Sequence, residues 1–199
     1  MHPLAIAYKR KQALIEERLH SFSQLSPDDI FYEFCFCLLT PQSKGKFCWE
    51  KVKKLRQLHF KERTFDPHPH IQDMRFHHHK NAYLLAGKKM YSQILEHLDT
   101  IKDPRELRAW LAAHVEGYGY KESSHFLRNI GHKNLAILDR HILKNLVRHK
   151  VIPELPKTLT PKRYLEIEQA FQQFADKIDI PMDALDLLFW SEETGEVFK

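Results

Sequence analysis

Apolar residues recur at intervals of three and four along most of this 199-residue chain, which contains only six glycines. One stripe, for example, runs with this spacing through Tyr164, Ile167, Phe171, Phe174 and Ile178. This is the period of one face of an α-helix, whereas a half-buried strand alternates at every second residue. The sequence therefore predicts an all-α protein, and it contains no internal repeat at the spacing of a solenoid.

Capping residues mark several helix boundaries. The Ser-Pro-Asp-Asp run at residues 26–29 combines an N-cap, a first-turn proline and early acids, so a helix is expected to begin there. It continues through IFYEFCFCLL, which is apolar on nearly all sides and must be covered by other helices. The segment FKERTFDPHPHIQDMRFHHH has no sustained period and is predicted to be a long surface connection. Further helices are predicted near residues 4–19, 44–58, 80–98, 104–115 and 181–190, and from Thr160 onward.

Charge and cysteine content restrict the function only broadly. The formal net charge of +5 favours a polyanionic partner but is compatible with many functions. Three cysteines, at positions 35, 37 and 48, fit neither a disulfide framework nor a paired metal-site spacing, which indicates a reducing compartment. No apolar run approaches the roughly 20 residues of a membrane helix. We therefore expect an intracellular protein, cytoplasmic if the source is prokaryotic.

The stretch VEGYGYKESSHFL places Gly117 and Gly119 between two predicted helices and follows them with Lys121. Glycine tolerates positive φ and lets a ligand approach the main chain, so the N–H groups of residues 118–122 are expected to form a cup for a phosphate. A lysine is unusual there because a helix N-terminus disfavours another cation. An amine in that place is expected to lose its proton more easily, and the neutral amine is the nucleophilic form. The alternative is that the glycines simply end a helix and that Lys121 is solvated.

A second unusual residue is Asp139, in LAILDRHILKNLVRHK. If this stretch is helical, Asp139 shares a face with Leu135, Ile142 and Leu146 and interrupts an apolar stripe. A carboxylate in that place is expected to be paired, hydrogen-bonded or at the edge of a cleft, because unpaired burial is costly. The alternative is a structural cap or an ion-pair partner.

The hairpin GYGYK and the DRHIL that follows it resemble the helix-hairpin-helix superfamily of DNA glycosylases. The stretch YKESSHFLRNIGHKNLAILDRHILKNL and the ending WSEETGEVFK are most similar to its archaeal-type 8-oxoguanine DNA glycosylase/AP lyases. The resemblance implies two helical lobes with a DNA-binding cleft between them. One lobe would comprise residues 26–125 and end in the hairpin, and the other would combine residues 1–25 with 126–199.

The resemblance also implies an enzyme of base excision repair. Lys121 would displace 8-oxoguanine from duplex DNA through a Schiff base and cleave the strand by β-elimination, assisted by the carboxylate of Asp139. Lys199, the last residue given, is implicated in recognising the base, and Trp190 is expected to stack on it. An aromatic residue on a terminal helix can also be ordinary core.

The same resemblance assigns DNA contacts and cofactors. Gln42, in LLTPQSKGKFCWE, is expected to fill the gap left by the extruded base, while Gly117 and Gly119 hold the DNA backbone. No cofactor is expected to be required, and the four-cysteine iron–sulfur tail of endonuclease III relatives is absent from the sequence. Relatives often hold a monovalent cation on the hairpin carbonyls. We expect a nucleoid-associated monomer.

The histidines at positions 68, 70 and 77–79 lie in one segment, and the run at 77–79 departs from the family pattern after Arg75 and Phe76. No carboxylate or cysteine joins these histidines at a recognisable ligand spacing, so the sequence predicts no metal site. Two other functions remain open. One is the same chemistry on oxidised pyrimidines, and the other is a non-catalytic protein that uses the hairpin only to hold DNA.

Overall fold

The computed structural model describes residues 2–199, and all regular secondary structure in that range is helical, which confirms the all-α prediction. None of the helices described is both long and apolar enough to cross a membrane. In the range described, the α-helices are α1 (Pro3–Phe22), α2 (Pro27–Leu39), α3 (Gly45–Gln57), α4 (His68–Ile71), α5 (His77–Lys89), α6 (Tyr91–Thr100), α7 (Pro104–His114), α8 (Tyr120–Asn129), α9 (Arg140–Arg148), α10 (Pro161–Lys177) and α11 (Met182–Thr194).

The chain divides into two compact units. The first, Leu25–Phe126, contains α2 to α7 and the beginning of α8. The second combines the N-terminal segment up to Gln24 with Leu127–Lys199, and contains α1, the end of α8 and α9 to α11. The hairpin between α7 and α8 belongs to the first unit.

The first unit is built around α2. Its N-terminus has a capping box, in which Ser26 Oγ accepts from Asp29 N–H and the Asp29 carboxylate accepts from Ser26 N–H, both at 3.2 Å. Residues 31–39 are all buried, which confirms the prediction of a helix covered on every side. Phe34 lies within this run, with its ring centroid 5.2 Å from that of Tyr118 in the hairpin.

The segment between α3 and α5 is not the surface connection that the sequence predicted. It contains α4, and its Phe60, Ile71 and Met74 are almost fully buried. These apolar side chains anchor an irregular backbone at irregular intervals, so the sequence shows no helical or strand period. The segment is therefore part of the core of its unit.

The single helix predicted near residues 80–98 is two helices, α5 and α6. They meet at Met90, whose φ of −95° and ψ of 6° interrupt helical geometry. Neither glycine nor proline occupies the junction, so the usual signals of a helix end are missing from the sequence.

The second unit is built around α11. Residues 182–189 of that helix are all buried. The apolar stripe predicted on α10 is present, with Tyr164, Ile167 and Phe171 buried. The Phe171 ring lies 6.1 Å, centroid to centroid, from that of Phe189, so α10 packs on α11.

Candidate active site

The hairpin between α7 and α8 requires glycine at position 117. Gly117 has a φ of +87°, in the left-handed region that other residues rarely adopt. A Cβ at this position would lie 2.5 Å from Cδ2 of Tyr83 in α5. The next residue, Tyr118, is buried and donates a hydrogen bond from its hydroxyl to the main-chain oxygen of Phe34 at 3.0 Å. The hairpin is thus fixed against α2 and α5.

The cup of free N–H groups predicted at residues 118–122 is smaller than expected. Tyr118 N–H donates to the carbonyl of Val115 at 3.0 Å, and Gly119 N–H donates to Oε2 of Glu122 at 3.2 Å. Each main-chain N–H has a single hydrogen, so these two groups are used within the hairpin. The Gly119 N–H is occupied because the Glu122 side chain folds back onto the start of α8, as a capping carboxylate does.

Lys121 lies in the first turn of α8, and its side chain is 26% exposed. Its Nζ is 2.9 Å from Oε1 of Glu122. Glu122 therefore binds both the hairpin main chain and the amine of its neighbour. This arrangement restricts the lysine side chain while leaving part of it accessible to a ligand.

A second lysine in the same unit, Lys80, escaped the sequence interpretation. It lies in α5, is only 3% exposed, and donates from Nζ to Ser43 Oγ at 2.8 Å. Burial lowers the pKa of Lys80; the charge of Cys48 opposes that shift, and the charge of Lys121 adds to it. Burial also raises the pKa of the Cys48 thiol to about 11. Nothing in the run HHHK distinguishes Lys80 from a surface lysine, because its burial depends on residues from α3 and from the turn before it.

The segment before Asp139 is not helical, so its prediction as helix is wrong. The main-chain N–H of Ala136 donates to Glu168 Oε1 at 2.8 Å, and the carbonyl of the same residue accepts from the Tyr164 hydroxyl at 2.5 Å. These side chains of α10 replace the hydrogen bonds of a helix. Asp139 is consequently the N-cap of α9, with Oδ1 accepting from Ile142 N–H at 2.8 Å. The cap fixes the position of the carboxylate.

Two further carboxylates, Asp183 and Asp186 of α11, form a buried acidic group in the same unit as Asp139. Burial raises the pKa of Asp186 to about 7, although Arg128 opposes this shift; the charges of Asp139 and Asp183 add to it. Arg128 Nη2 is 3.4 Å from Asp186 Oδ2. Asp183, whose pKa is also raised by burial, accepts a hydrogen bond from Asn134 N–H at 3.1 Å. The available sequence signal was a pair of acids in the otherwise apolar stretch PMDALDLLFW.

Trp190 and Lys199 also belong to this unit. Trp190, near the end of α11, is half-buried, and its ring centroid lies 4.8 Å from that of His141. Gly195, with a φ of +85°, ends the helix in the usual left-handed conformation. The chain then runs to Lys199, which is half-buried as well. Neither side chain is fully enclosed in the core.

Gln42 lies in the turn between α2 and α3. It is exposed and has a φ of 54°, which is uncommon for a residue of its type. The neighbouring Pro41 contributes to a cavity of about 270 Å³ in the same unit. The other residues that line this cavity are Leu38, Phe76, His79, Lys80 and Tyr83.

The residues predicted to form the site divide between the two units. The first unit contains Gln42, Gly117, Gly119 and Lys121, while the second contains Asp139, Trp190 and Lys199. Sequence reasoning missed three charged neighbours of these residues, namely Glu122, Lys80 and Asp186.

Comparison with known proteins gives a consistent result. A family model described as 8-oxoguanine DNA glycosylase matches residues 15–180. An 8-oxoguanine DNA glycosylase/AP lyase of Fusobacterium nucleatum is 40% identical, with 96% of this chain and 94% of the relative covered. The protein of the same name from Methanocaldococcus jannaschii is 31% identical, with 94% and 92% covered.

Solved structures are similar over the whole chain. The 8-oxoguanine glycosylase/lyase of Methanocaldococcus jannaschii, in complex with a 15mer DNA containing 8-oxoguanine, superimposes with a TM-score of 0.89, 28% identity and 100% of both chains covered. The 8-oxoguanine DNA glycosylase of Thermotoga maritima gives a TM-score of 0.89 at 28% identity, covering 98% of this chain and 96% of that one.

Proposed function

This chain belongs to the helix-hairpin-helix family of 8-oxoguanine DNA glycosylases, and we propose that it removes 8-oxoguanine from double-stranded DNA and then cleaves the strand at the abasic site. The observation that carries this proposal is the 40% identity, over 96% of the chain, to a relative named for both activities. The position of an accessible lysine at the mouth of a glycine hairpin supports it.

Lys121 is the proposed nucleophile. Its neutral amine attacks C1′ of the deoxyribose, forming an N–C bond as the bond between C1′ and the base breaks. The base leaves with a proton, and opening of the sugar ring converts the adduct into a Schiff base. The Schiff base acidifies the C2′ hydrogens, and removal of one of them expels the 3′ phosphate. Hydrolysis by water then releases the amine unchanged.

Accessibility favours Lys121 over Lys80 as the attacking group. A buried lysine with a lowered pKa is often a reactive one, and by that criterion Lys80 would be the candidate. Lys80, however, is only 3% exposed and is bound to Ser43, so a sugar carbon cannot reach its amine without rearrangement. Lys121 is 26% exposed and follows the hairpin directly. Lys80 is instead a neighbour of the nucleophile, since the charge of Lys121 contributes to its lowered pKa.

Asp139 is the proposed carboxylate partner in the chemistry. Positive charge develops on the sugar as the base departs, and a fixed carboxylate stabilises such charge. Its cap hydrogen bond to Ile142 N–H holds the side chain in one position. Because the same carboxylate can accept a proton, Asp139 is also suited to assist proton transfer.

The hairpin and the surrounding positive charge are proposed to hold the DNA backbone. The net charge of +5 favours phosphate binding, which is independent of sequence. Gln42, exposed on its turn, is the proposed plug for the gap left by the extruded nucleotide. The hairpin carbonyls of Val115 and Gly119 each accept one hydrogen bond within the chain. Each oxygen has a second lone pair, and we propose that these carbonyls contribute to a site for a monovalent cation.

Base recognition is assigned to Trp190 and Lys199. 8-oxoguanine differs from guanine chiefly in the carbonyl at C8 and the hydrogen on N7, so N7 changes from acceptor to donor. A site that pairs with that hydrogen rejects guanine, because guanine would leave a buried polar group unpaired. Trp190, half-buried on α11, is proposed to stack on the extruded base.

Incubation with borohydride tests the proposal directly, because reduction of a Schiff base leaves a stable bond between protein and DNA. Duplexes containing 8-oxoguanine, an oxidised pyrimidine or undamaged guanine form the panel. We expect trapping and strand cleavage with 8-oxoguanine only. Lys121→Gln should remove both, and Lys80→Gln serves as the matched lysine control.

Each alternative predicts a different result in this panel. Cleavage of oxidised pyrimidines in place of 8-oxoguanine would assign another substrate, and DNA binding without any adduct would indicate a non-catalytic protein. We also propose that the protein acts as a monomer, so native mass spectrometry should detect one chain per duplex.

A further inference from the structure

Three imidazoles converge where α4 meets the start of α5. His68 lies in α4, while His77 and His78 are the first residues of α5. One ligand nitrogen from each ring lies within 4.8 Å of the others. His68 Nε2 is 2.7 Å from His77 Nδ1, and the ring centroids of His77 and His78 are 4.1 Å apart. In a tetrahedral zinc site with metal–nitrogen bonds of about 2.0–2.1 Å, the ligand nitrogens are about 3.3 Å apart. The 2.7 Å between His68 Nε2 and His77 Nδ1 is a hydrogen-bond distance and lies below that value, while the 4.8 Å limit on the three ligand nitrogens lies above it.

Asp66 connects the two helices that carry this cluster. Asp66 Oδ1 accepts from His68 N–H at 3.1 Å and from Asn81 Nδ2 at 2.9 Å, and Asn81 lies one turn after His77 in α5. Asp66 thus joins the start of α4 to α5. Phe76, just before His77, has a φ of 58°, an uncommon conformation for a bulky residue. Such backbone strain persists where surrounding contacts impose it, and it is often found at functional sites.

The start of α5 leaves its histidines without a competing acid in the same turn. This helix has no acidic residue in its first turn and no side-chain cap hydrogen bond. Asp66, the acid described above, accepts from the main-chain N–H of His68. Imidazole nitrogen is the commonest metal ligand in proteins.

We propose that His68, His77 and His78 bind one divalent transition-metal ion such as Zn²⁺. Imidazole nitrogen suits zinc, copper and nickel, whereas magnesium and calcium prefer oxygen ligands. His78 is exposed, which leaves room for water in the fourth position. The ion would link α4 to α5, and so anchor the irregular segment between α3 and α5. The sequence shows these histidines in one segment but at no familiar ligand spacing, which is why it predicted no metal site there.

Equilibrium dialysis against Zn²⁺, followed by metal quantification on protein without a histidine tag, tests this site. Wild type should bind one Zn²⁺ per chain. His68→Gln, His77→Gln and His78→Gln should each lower the affinity by more than roughly tenfold, the least that losing even an outer hydrogen-bond partner usually costs a metal site. His79→Gln and His70→Gln are matched controls from the same segment, since neither belongs to the cluster, and they should bind like wild type.

Thermal unfolding with and without Zn²⁺ supplies a second measurement for variants that fold. Zn²⁺ should raise the melting temperature of wild type and of His79→Gln, because an ion bound to the native state stabilises it. The increase should be absent in His77→Gln. Wild type without a stoichiometric ion, or cluster variants that bind as well as the two controls, would overturn the proposal. Circular dichroism identifies any variant that is unfolded and removes it from the comparison.

Discussion

Lys121 and Asp139 lie in different units, yet each has a buried group of its own charge nearby. The neighbour of Lys121 is Lys80, whose pKa is lowered by burial and, to a smaller extent, by the charge of Lys121. Asp139 has Asp186, whose pKa is raised to about 7 by burial with a contribution from Asp139. In both regions the neighbour is shifted toward its neutral form, since low dielectric and like charge both disfavour ionisation.

The two regions differ in how the buried neighbour is satisfied. Lys80 donates a normal hydrogen bond to the neutral hydroxyl of Ser43 at 2.8 Å. Asp186 relies on Arg128 at 3.4 Å, and neither of its carboxylate oxygens has a hydrogen-bond partner among the described residues. The amine side is thus held by a short, specific contact, whereas the acidic side depends on longer-range charge. Substitutions near Lys121 should therefore have local effects, whereas substitutions near Asp139 should change how stability depends on pH.

The largest expected difference is between the effects of replacing Lys121 and of replacing Lys80. Lys121→Gln should reduce strand cleavage at 8-oxoguanine at least about 10³-fold, given that loss of a nucleophile can cost about 10⁶ in other enzymes. DNA binding should change little. Lys80→Gln should retain trapping with borohydride. Single-turnover cleavage and binding isotherms measure both, and a Lys121→Gln enzyme with wild-type cleavage would invert the comparison.

On the acidic side, Asp139→Asn should lower the single-turnover rate by about 10²–10⁴-fold, the usual contribution of a group that transfers protons. Asparagine is as good an N-cap as aspartate, so α9 should be preserved and DNA affinity should remain close to wild type. Asp139→Ala is the comparison variant that also removes the cap. If the asparagine variant lost only thermal stability and kept its rate, Asp139 would be structural.

The hairpin geometry can be tested through stability. Gly117→Ala forces a side chain into left-handed backbone with its Cβ 2.5 Å from the Tyr83 ring, and should destabilise by about 1–3 kcal/mol. Gly119→Ala is the matched control, because its Cβ would meet only the flexible Glu122 Oε2, at 3.3 Å. Urea unfolding gives both values. Equal losses at the two glycines would mean that the strain at position 117 is not what fixes the hairpin.

The last prediction concerns the pH dependence of stability and Asp186. The pKa of Asp186 is about 7 in the native state, above the ordinary value of 3.8. At a pH between these two values, the native state therefore binds more protons than the unfolded state. The free energy of unfolding should therefore fall as pH rises through that window, and be unaffected by this group below it. Asp186→Asn cannot ionise and should make the fall shallower. Asp99→Asn, at a 91% exposed side chain, should keep the wild-type slope. If the slope were unchanged in both variants, Asp186 would not cause the pH dependence of stability.

Local chemistry explains which parts of the molecule the sequence could predict. The capped and buried α2, the stripe on α10 and the glycine at position 117 all follow from residues close together in the chain. The same is true of Asp139 as a cap, which the sequence left open as an alternative.

The errors arise where distant residues determine the structure. Residues 135–138 are apolar enough for a helix, but their main chain is hydrogen-bonded to Glu168 and Tyr164 of α10 instead. Lys80 is almost fully buried and donates to Ser43, which lies 37 residues away in the chain. In the first two cases contacts with distant side chains override the local pattern, and no spacing rule predicts such contacts. The start of α8 is a local exception, because Glu122 folds back onto Gly119 at the spacing of a capping carboxylate.

Peptide mapping of the borohydride-reduced adduct tests the central claim most directly. After digestion of protein and DNA, mass spectrometry identifies the residue that carries the sugar remnant. We predict that the modification lies on Lys121 and on no other lysine. A remnant on Lys80, or on any amine outside the hairpin, would contradict the account.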